Sequence, residues 1–265
     1  MNHCFRFIFS GDDLDLAPGK TIELDKSESY HLASVLRLRE EELVEVRSLN
    51  QNLSFLCSIT SSSPSASIVT IIKGLALPKI TNAVHLICAI VKPDTADNIV
   101  EKCVEVGVHS ISFVETENSK KEFYSSIKSR HDRFIRIRNS AIKQCGSPTL
   151  TKLSMAETLS NAFKLLPLQT ARKIFCASDY ECLIDNNLKP LSIINTLARC
   201  SSGSLNIQNG HSTVDTYIVI GPEGGFSQEE ITLMINHDFL PVSLGENVLR
   251  TDTAAMLACG LLLIN

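Results

Sequence analysis

From Val84 onward the hydrophobic pattern changes period, and that change limits the architecture more than any other feature of the chain. VHLICAIV (84–91) is a nearly continuous apolar run, as expected of a strand covered on both faces. An amphipathic helix follows from Asp97 to Val106, with Ile99, Cys103 and Val106 on one stripe and Gly107 as its stop signal. The alternation then repeats. ISFV (111–114) reads as a strand, the segment from about Lys128 to Lys143 as a basic helix, KIFCAS (173–178) as a strand, and residues near 188–199 as a helix. YIVIG (217–221), a helix from Gln228 to His237, PVSLG (241–245) and a last helix from Asp252 to Ile264 complete the series. Alternation of this kind predicts an α/β domain on a mostly parallel sheet. The last helix is apolar on nearly every side, which predicts burial on more than one side, as core plus subunit interface.

The first 73 residues follow a different pattern. TIELD (21–25), LVEVRSL (43–49) and LSFLCSI (53–59) are β-prone, and Asn50-Gln51-Asn52 suits a hairpin turn. One helix-like piece, Ser29 to Arg37, interrupts them, with Leu32, Val35 and Leu36 on one face. A small β-barrel is expected over 1–73, a linker over 74–82 with Gly74 and Pro78, and the α/β domain over 83–265. Residues 200–213 (CSSGSLNIQNGHST) read as a mobile loop.

Composition narrows the function classes. A hydrophobic content of 44% and a charged content of 20% are those of an ordinary globular protein, and no apolar run approaches the roughly 20 residues that span a bilayer. No signal peptide is evident, so a cytoplasmic protein without a membrane partner is expected. The nine cysteines are odd in number and show no C-x-x-C spacing, so neither a disulfide framework nor a metal site is indicated. The net charge of −4 argues mildly against nucleic acid. Lys120 to Lys143, however, holds eight Lys/Arg against Glu122 and Asp132, which is either a solvated helix face or an RNA contact.

Two segments carry the chemistry. Ile220-Gly221-Pro222-Glu223-Gly224-Gly225-Phe226-Ser227 follows a strand and precedes a helix, and Ser227 with Glu230 makes a capping-box pattern. Glycines at the carboxyl end of such a strand let a ligand approach the main chain. The segment is neither a Walker A loop nor a G-x-G-x-x-G fingerprint. The second, Leu244 to Ala255 (LGENVLRTDTAA), is also strand–loop–helix, with Thr251 or Asp252 able to cap the helix. Arg250 stands there as a cation with no obvious local partner, suited to a surface ion pair or to gripping an anion.

GPEGGFSQEEI followed about twenty residues on by VSLGENVLRTDTAAMLA resembles the C-terminal signature of the ribosomal RNA small subunit methyltransferase E family, of the SPOUT or trefoil-knot class. His31-Leu32-Ala33-Ser34-Val35-Leu36-Arg37 is similar to that family's H-L-x-x-V-L-R. Lys92 with Glu101-Lys102 through Val108 is similar to its K…K-x-x-E-L-G-V block, and Thr116-Glu117 and Gln144-Cys145 fall at further family blocks. Asn118, Thr95, Lys143 and Ser147 depart from the family pattern, at positions where it usually has Arg, a basic residue, Glu and Arg.

The resemblance implies an N-terminal PUA-like RNA-binding barrel and a C-terminal trefoil-knot domain, acting as a homodimer. It implies transfer of a methyl group from S-adenosylmethionine to N3 of one uridine of 16S ribosomal RNA, within the assembled small subunit. Cofactor contacts would come from Ile220, Gly221, Pro222, Glu223, Gly224 and Gly225, and from Leu244, Gly245, Val248, Leu249, Thr251, Thr253 and Ala254. Arg250 and Glu223 would be the catalytic pair. Arg6, His31, Arg37, Lys92, Arg133 and Arg136 would grip the RNA. A related enzyme on another RNA position, or a non-catalytic RNA-binding relative, remains the alternative.

Overall fold

Alternating burial along short β-prone stretches builds the first sheet. The computed structural model describes residues 4–11, 16–80, 82–164, 166, 171–177, 190–194 and 215–264. The chain divides into two compact units, residues 1–79 with 142–150, and residues 80–141 with 151–265.

In the first unit, strands β1 (Phe5–Phe9), β2 (Thr21–Glu23), β3 (Leu43–Ser48), β4 (Leu53–Ser61) and β5 (Ile68–Leu75) form one sheet in the order β1-β3-β4-β5-β2. β1 pairs with β3 in parallel and the other neighbours are antiparallel. β1 and β2 end the order unjoined, so the described sheet is a half-barrel. Its inner face buries Phe7, Ile22, Val44, Val46, Phe55 and Ile71, with Leu32 sealing it. β5 carries strand structure to Leu75, into the stretch expected as linker.

The helix expected over Ser29 to Arg37 is two pieces. α1 (Lys26–Tyr30) is capped by Asp25, whose Oδ1 accepts from Glu28 N at 2.9 Å. A π-helical turn follows over His31–Val35, with Leu36 N donating to His31 O at 2.9 Å. Arg37 then adopts φ +55°, a left-handed conformation uncommon for a residue with a Cβ. Segment 142–150 is tied into this unit by polar contacts. Lys143 Nζ donates to the buried Glu28 at 2.5 Å, and Arg47 donates to Pro148 O at 2.6 Å.

Among the described residues of the second unit seven strands, all parallel, run in the order β10-β12-β9-β11-β6-β7-β8. They are β6 (Val84–Ala89), β7 (Ser110–Val114), β8 (Lys152–Ala156), β9 (Arg172–Cys176), β10 (Leu191–Ser192), β11 (Thr216–Ile220) and β12 (Leu240–Ser243). The helices are α2 (Pro93–Val106), α3 (Lys121–Lys128), α4 (His131–Cys145), α5 (Leu159–Lys164), α6 (Gln228–Asn236) and α7 (Thr251–Ile264). Successive side chains of a strand face opposite ways. Ile87, Val114, Phe175 and Val219 therefore meet α5 and α6 through Leu159, Phe163, Ile231 and Met234. The other face carries α7, which packs on α2, β6 and β11.

Some expectations hold in this unit and others change. The basic helix expected from about Lys128 to Lys143 is α4, which starts at His131; a separate helix, α3, precedes it across a corner at Ser129-Arg130. β8 and α5, which the sequence pattern does not announce, occupy part of the interval between Lys143 and Lys173. The helix expected near 188–199 falls largely outside the described residues, and Leu191–Ser192 within it is a strand; the loop expected over 200–213 is wholly outside them. α7 buries one stripe, Thr251, Ala254, Ala255, Ala258, Cys259 and Leu262, while Met256, Leu257 and Ile264 are exposed.

Candidate functional site

Three parallel strands, β9, β11 and β12, end side by side, and the loops that leave β11 and β12 build a cleft at their carboxyl ends. The first loop is shaped locally. Gly225 N donates to Pro222 O at 3.0 Å, closing a turn, and Gly225 sits at φ +70°. Ser227 Oγ accepts from Glu230 N at 3.3 Å while Glu230 Oε2 accepts from Ser227 N at 3.0 Å, so the capping box forms as read and fixes where α6 starts. The second loop turns at Gly245, whose φ of +129° is open only to glycine at low cost. Ser243 Oγ donates to Gly245 O at 3.1 Å and braces that turn.

The two loops are joined by a side chain expected in another role. Thr251 does not cap α7: it is the helix's first residue, and its Oγ1 donates to Gly221 O at 3.2 Å. Arg250 O accepts from Ala254 N at 2.8 Å and opens the helix instead.

Of the residues expected at a cofactor, Ile220, Gly221, Pro222 and Gly225 line the cleft from the first loop. Leu244, Gly245, Val248, Leu249, Thr251 and Ala254 line it from the second. Glu223, Gly224 and Thr253 are brought near in sequence but do not line it. Sequence reasoning missed Cys176 and Ala177, which enter from the end of β9, while Ser243, Glu246 and Asn247 also line the cleft from the second loop. It also missed Phe226 and Ile231 behind the first loop; the local glycine pattern signals none of the β9 contribution. Burial pushes the Cys176 thiol up to about 12, so at neutral pH it is an uncharged wall and not a nucleophile.

A second brace comes from the loop after β7. Asn118 Nδ2 donates to Gly224 O and Gly225 O, both at 3.1 Å, and Glu117 N donates to Glu230 Oε1 at 2.9 Å. A Cβ on Gly224 would stand 3.1 Å from Asn118 Cβ, tighter than an ordinary contact, so a side chain there would press on the brace. Asn118 therefore holds the first loop. The other departures from the family pattern are also accounted for locally: Thr95 and Ser147 are buried, and Lys143 is paired with Glu28.

The lining is main-chain edges and aliphatic walls, with Glu246 its one charged side chain among the described residues. It offers neither a Lys nor an Arg for a phosphate, so it suits an uncharged ring edge and a cationic or zwitterionic group better than a nucleotide triphosphate. Arg250 is beside the cleft, with its side chain 78% exposed. The isolation expected of it is corrected: Asp252 Oδ1 lies 3.7 Å from its Nε, a loose pair. Glu223 is exposed at the tip of the first loop.

The residues expected to meet RNA fall on both units. Arg6 is paired with Glu45 at 2.8 Å, His31 packs on Phe7 at a ring distance of 6.0 Å, and Arg37 is exposed. Lys92 is exposed at the start of α2. Arg133 shares Asp97 Oδ2 with Arg130, each at 2.8 Å, while Arg136 is exposed and unpaired among the described residues.

Comparison with known proteins gives a consistent picture. Residues 78–263 match the family model described as RNA methyltransferase domain. The chain is 26% identical over 237 residues to the ribosomal RNA small subunit methyltransferase E of Mesomycoplasma hyopneumoniae, covering 88% of this chain and 93% of that one. It is 26% identical over 262 residues to its counterpart from Buchnera aphidicola subsp. Acyrthosiphon pisum, covering 95% and 90%. Among solved structures, a putative methyltransferase from Legionella pneumophila in complex with S-adenosylmethionine superposes with a TM-score of 0.77 at 26% identity, over 98% of this chain and 97% of that one. The ribosomal RNA small subunit methyltransferase E of Neisseria gonorrhoeae shares the fold, with a TM-score of 0.76 at 22% identity over 98% and 96%.

Proposed function

Because this chain belongs to the RNA methyltransferase domain family, we propose that it transfers the methyl group of S-adenosylmethionine to N3 of a uridine in 16S ribosomal RNA of the small subunit. One observation carries the reading. The two motif loops, about twenty residues apart in sequence, meet in a single cleft lined by main chain and tied by Thr251 to Gly221. Relatives carrying the small-subunit methyltransferase name align along nearly the whole chain, and the Legionella structure was solved with S-adenosylmethionine.

The chemistry of the cleft's lining supports that cofactor. Main-chain N–H and C=O groups around Leu244 to Leu249 can pair with the edge of an adenine, and Leu244, Val248 and Leu249 supply apolar walls. Val248 is 82% exposed, an apolar side chain at the mouth suited to cover a ring. When bound, the cofactor supplies an electrophilic methyl carbon whose bond to sulfur breaks as the bond to uridine N3 forms. The protein's task is to hold the base in line and to remove the N3 proton, since neutral uridine N3 is a poor nucleophile. On this reading Glu223, exposed at the loop tip, accepts that proton, and Arg250, exposed beside the cleft, stabilises negative charge on a uracil carbonyl oxygen.

On this reading the second unit is a SPOUT domain with a trefoil knot, and the half-barrel of the first is a PUA-like module that contacts RNA through Arg6, His31 and Arg37. Exposed Met256, Leu257 and Ile264 on α7 form part of a homodimer seam. The enzyme works in the cytoplasm on the assembled subunit; no helix among the described residues is long and apolar enough to cross a membrane.

The test is mass spectrometry of 16S RNA from a strain lacking the gene. One N3-methyluridine is expected to disappear and to return with the purified protein, small subunits and S-adenosylmethionine. Unchanged methylation would remove this reading, and loss of a ribose methyl group instead would favour the alternative target.

A further inference from the structure

A second recess opens on the second unit, away from the methyl-donor cleft, between the α3–α4 corner and the β7–β8 end of the sheet. It encloses about 310 Å³, at the lower limit of the ~300–1,000 Å³ typical of small-molecule sites. We propose that it is an RNA subsite that receives one unpaired nucleotide of the substrate strand; the proposal rests on the methyltransferase reading for its choice of RNA.

The floor is apolar by register. Ile111 pairs with Leu153 and Phe113 with Met155, so Phe113, Leu153 and Met155 share one face of the sheet. Tyr124 and Phe134 overhang it, and the Phe113 and Phe134 rings stack at 5.3 Å and 27°. Cores close gaps of this size, since an unfilled one forfeits packing on every wall. This one differs from a packing fault in its rim, where Lys128, His131, Ser154 and Glu157 all border the opening. Lys128 Nζ stands 5.9 Å over the Tyr124 ring, so cation and π-face are presented together.

That combination matches single-stranded RNA. An aromatic platform accepts a base by stacking, a cation beside it meets the phosphate, and a carboxylate such as Glu157 accepts from an exocyclic amino group. β8 ends the strand order, so its outer main-chain groups have no sheet partner among the described residues and can also read a base edge. Charge points the same way. Lys120, Lys121, Lys128 and Arg136 are exposed on α3 and α4 or at their ends, and the only acids between Lys120 and Lys143 are Glu122 and Asp132.

Position supports it as well. Phe113, Met155 and Glu157 lie at the carboxyl ends of β7 and β8, the same edge of the sheet on which the cleft opens at β9, β11 and β12. Three to four strand spacings separate the two, roughly 14–19 Å at ~4.8 Å each. That is about four to six nucleotides of stacked strand at ~3.4 Å per step, and fewer if it is extended.

The test uses the full chain with purified small ribosomal subunits as the RNA probe. Tyr124→Leu keeps the bulk and removes the π-face; Lys128→Glu reverses the charge. Each is expected to weaken RNA binding and raise KM for the subunit about tenfold, with S-adenosylmethionine affinity by calorimetry unchanged, which also reports that the variants fold. Tyr124→p-benzoylphenylalanine is expected to crosslink under light to 16S RNA near the methylated uridine. RNA affinity unchanged in both variants, or a crosslink to a ribosomal protein, would overturn the subsite. Wild-type protein that binds RNA in a Tyr124-dependent way yet methylates nothing would overturn the methyltransferase reading and leave the subsite standing.

Discussion

Gly245 shows how a single residue sets the cleft. Its φ of +129° lies where a side chain is strained, and its main chain faces the space a ligand would take. Such constraints are local, which is why the two glycine loops and the Ser227–Glu230 box can be read directly from the chain. Asn118 is the opposite case. In sequence it looks like a lost RNA-facing charge; in the fold its amide holds two carbonyls of a loop more than a hundred residues away. Asn118→Asp keeps the shape and removes the donors, so S-adenosylmethionine affinity is expected to fall about two- to fivefold, as for loss of exposed hydrogen bonds each worth ~0.5 kcal/mol. Calorimetry with unchanged affinity would show that the brace is idle. Arg250 is equally testable: with its side chain 78% exposed and its pair at 3.7 Å, Arg250→Ala is expected to leave the melting temperature in place and to lower kcat at least tenfold. Full turnover in that variant would exclude it from the chemistry.

The elements themselves are legible where period and stop signals agree. α2 ends at Gly107 with φ +96°, and β6, β9, β11 and β12 appear within two residues of their expected bounds. The basic helix expected from about Lys128 appears as α4, but charge does not reveal the corner before it: α3 and α4 meet at Ser129-Arg130, where Arg130 turns inward to Asp97. One group of strand ends carries a pH dependence. His85 stacks on Tyr217 at 4.4 Å and shares a hydrogen bond of 2.8 Å with Ser110, at the amino ends of β6, β11 and β7. Burial, then the nearby His109, hold its pKa below the ordinary 6.5, against the raising effect of Asp215; Lys152 adds a further lowering. The unfolded chain thus binds this proton at a higher pH than the folded one. The stability held by neutral His85 is complete above pH 6.5 and is lost as the pH falls below it. Urea midpoints between about pH 5 and 8 are expected to drop on the acid side, and His85→Phe to flatten that slope. An unchanged slope would assign the effect to another group.

For the whole molecule, the eight cations of the 120–143 segment separate into two groups. Arg130 and Arg133 serve Asp97, Arg138 donates to Asn139 and the Thr151 carbonyl, and Lys143 holds Glu28. Lys120, Lys121, Lys128 and Arg136 remain exposed. At a slope of ~0.7 per phosphate contact, these four account for about −3 in log affinity against log salt. Replacing all four with Ala is expected to flatten the salt dependence of RNA binding by that amount, while Arg133→Gln leaves it unchanged. A slope indifferent to the fourfold change would make the segment a solvated face. The sequence pattern predicts a parallel sheet but not the order of its strands, because that order depends on which distant runs meet.

The strand order has a consequence for synthesis. β6 lies between β7, which follows it closely, and β11, whose Thr216 pairs with Val84 across about 130 residues; at ~5–20 residues per second β6 waits roughly 7–25 s for that neighbour. Until then its apolar face, Leu86 and Cys88 among it, has no α7 to cover it. The loops that form the cleft leave β11 and β12, which emerge from the ribosome after the other described strands. A nascent chain in which β12 has not yet emerged can therefore fold its half-barrel and still lack the cleft, so only a chain translated through Ala254 presents it.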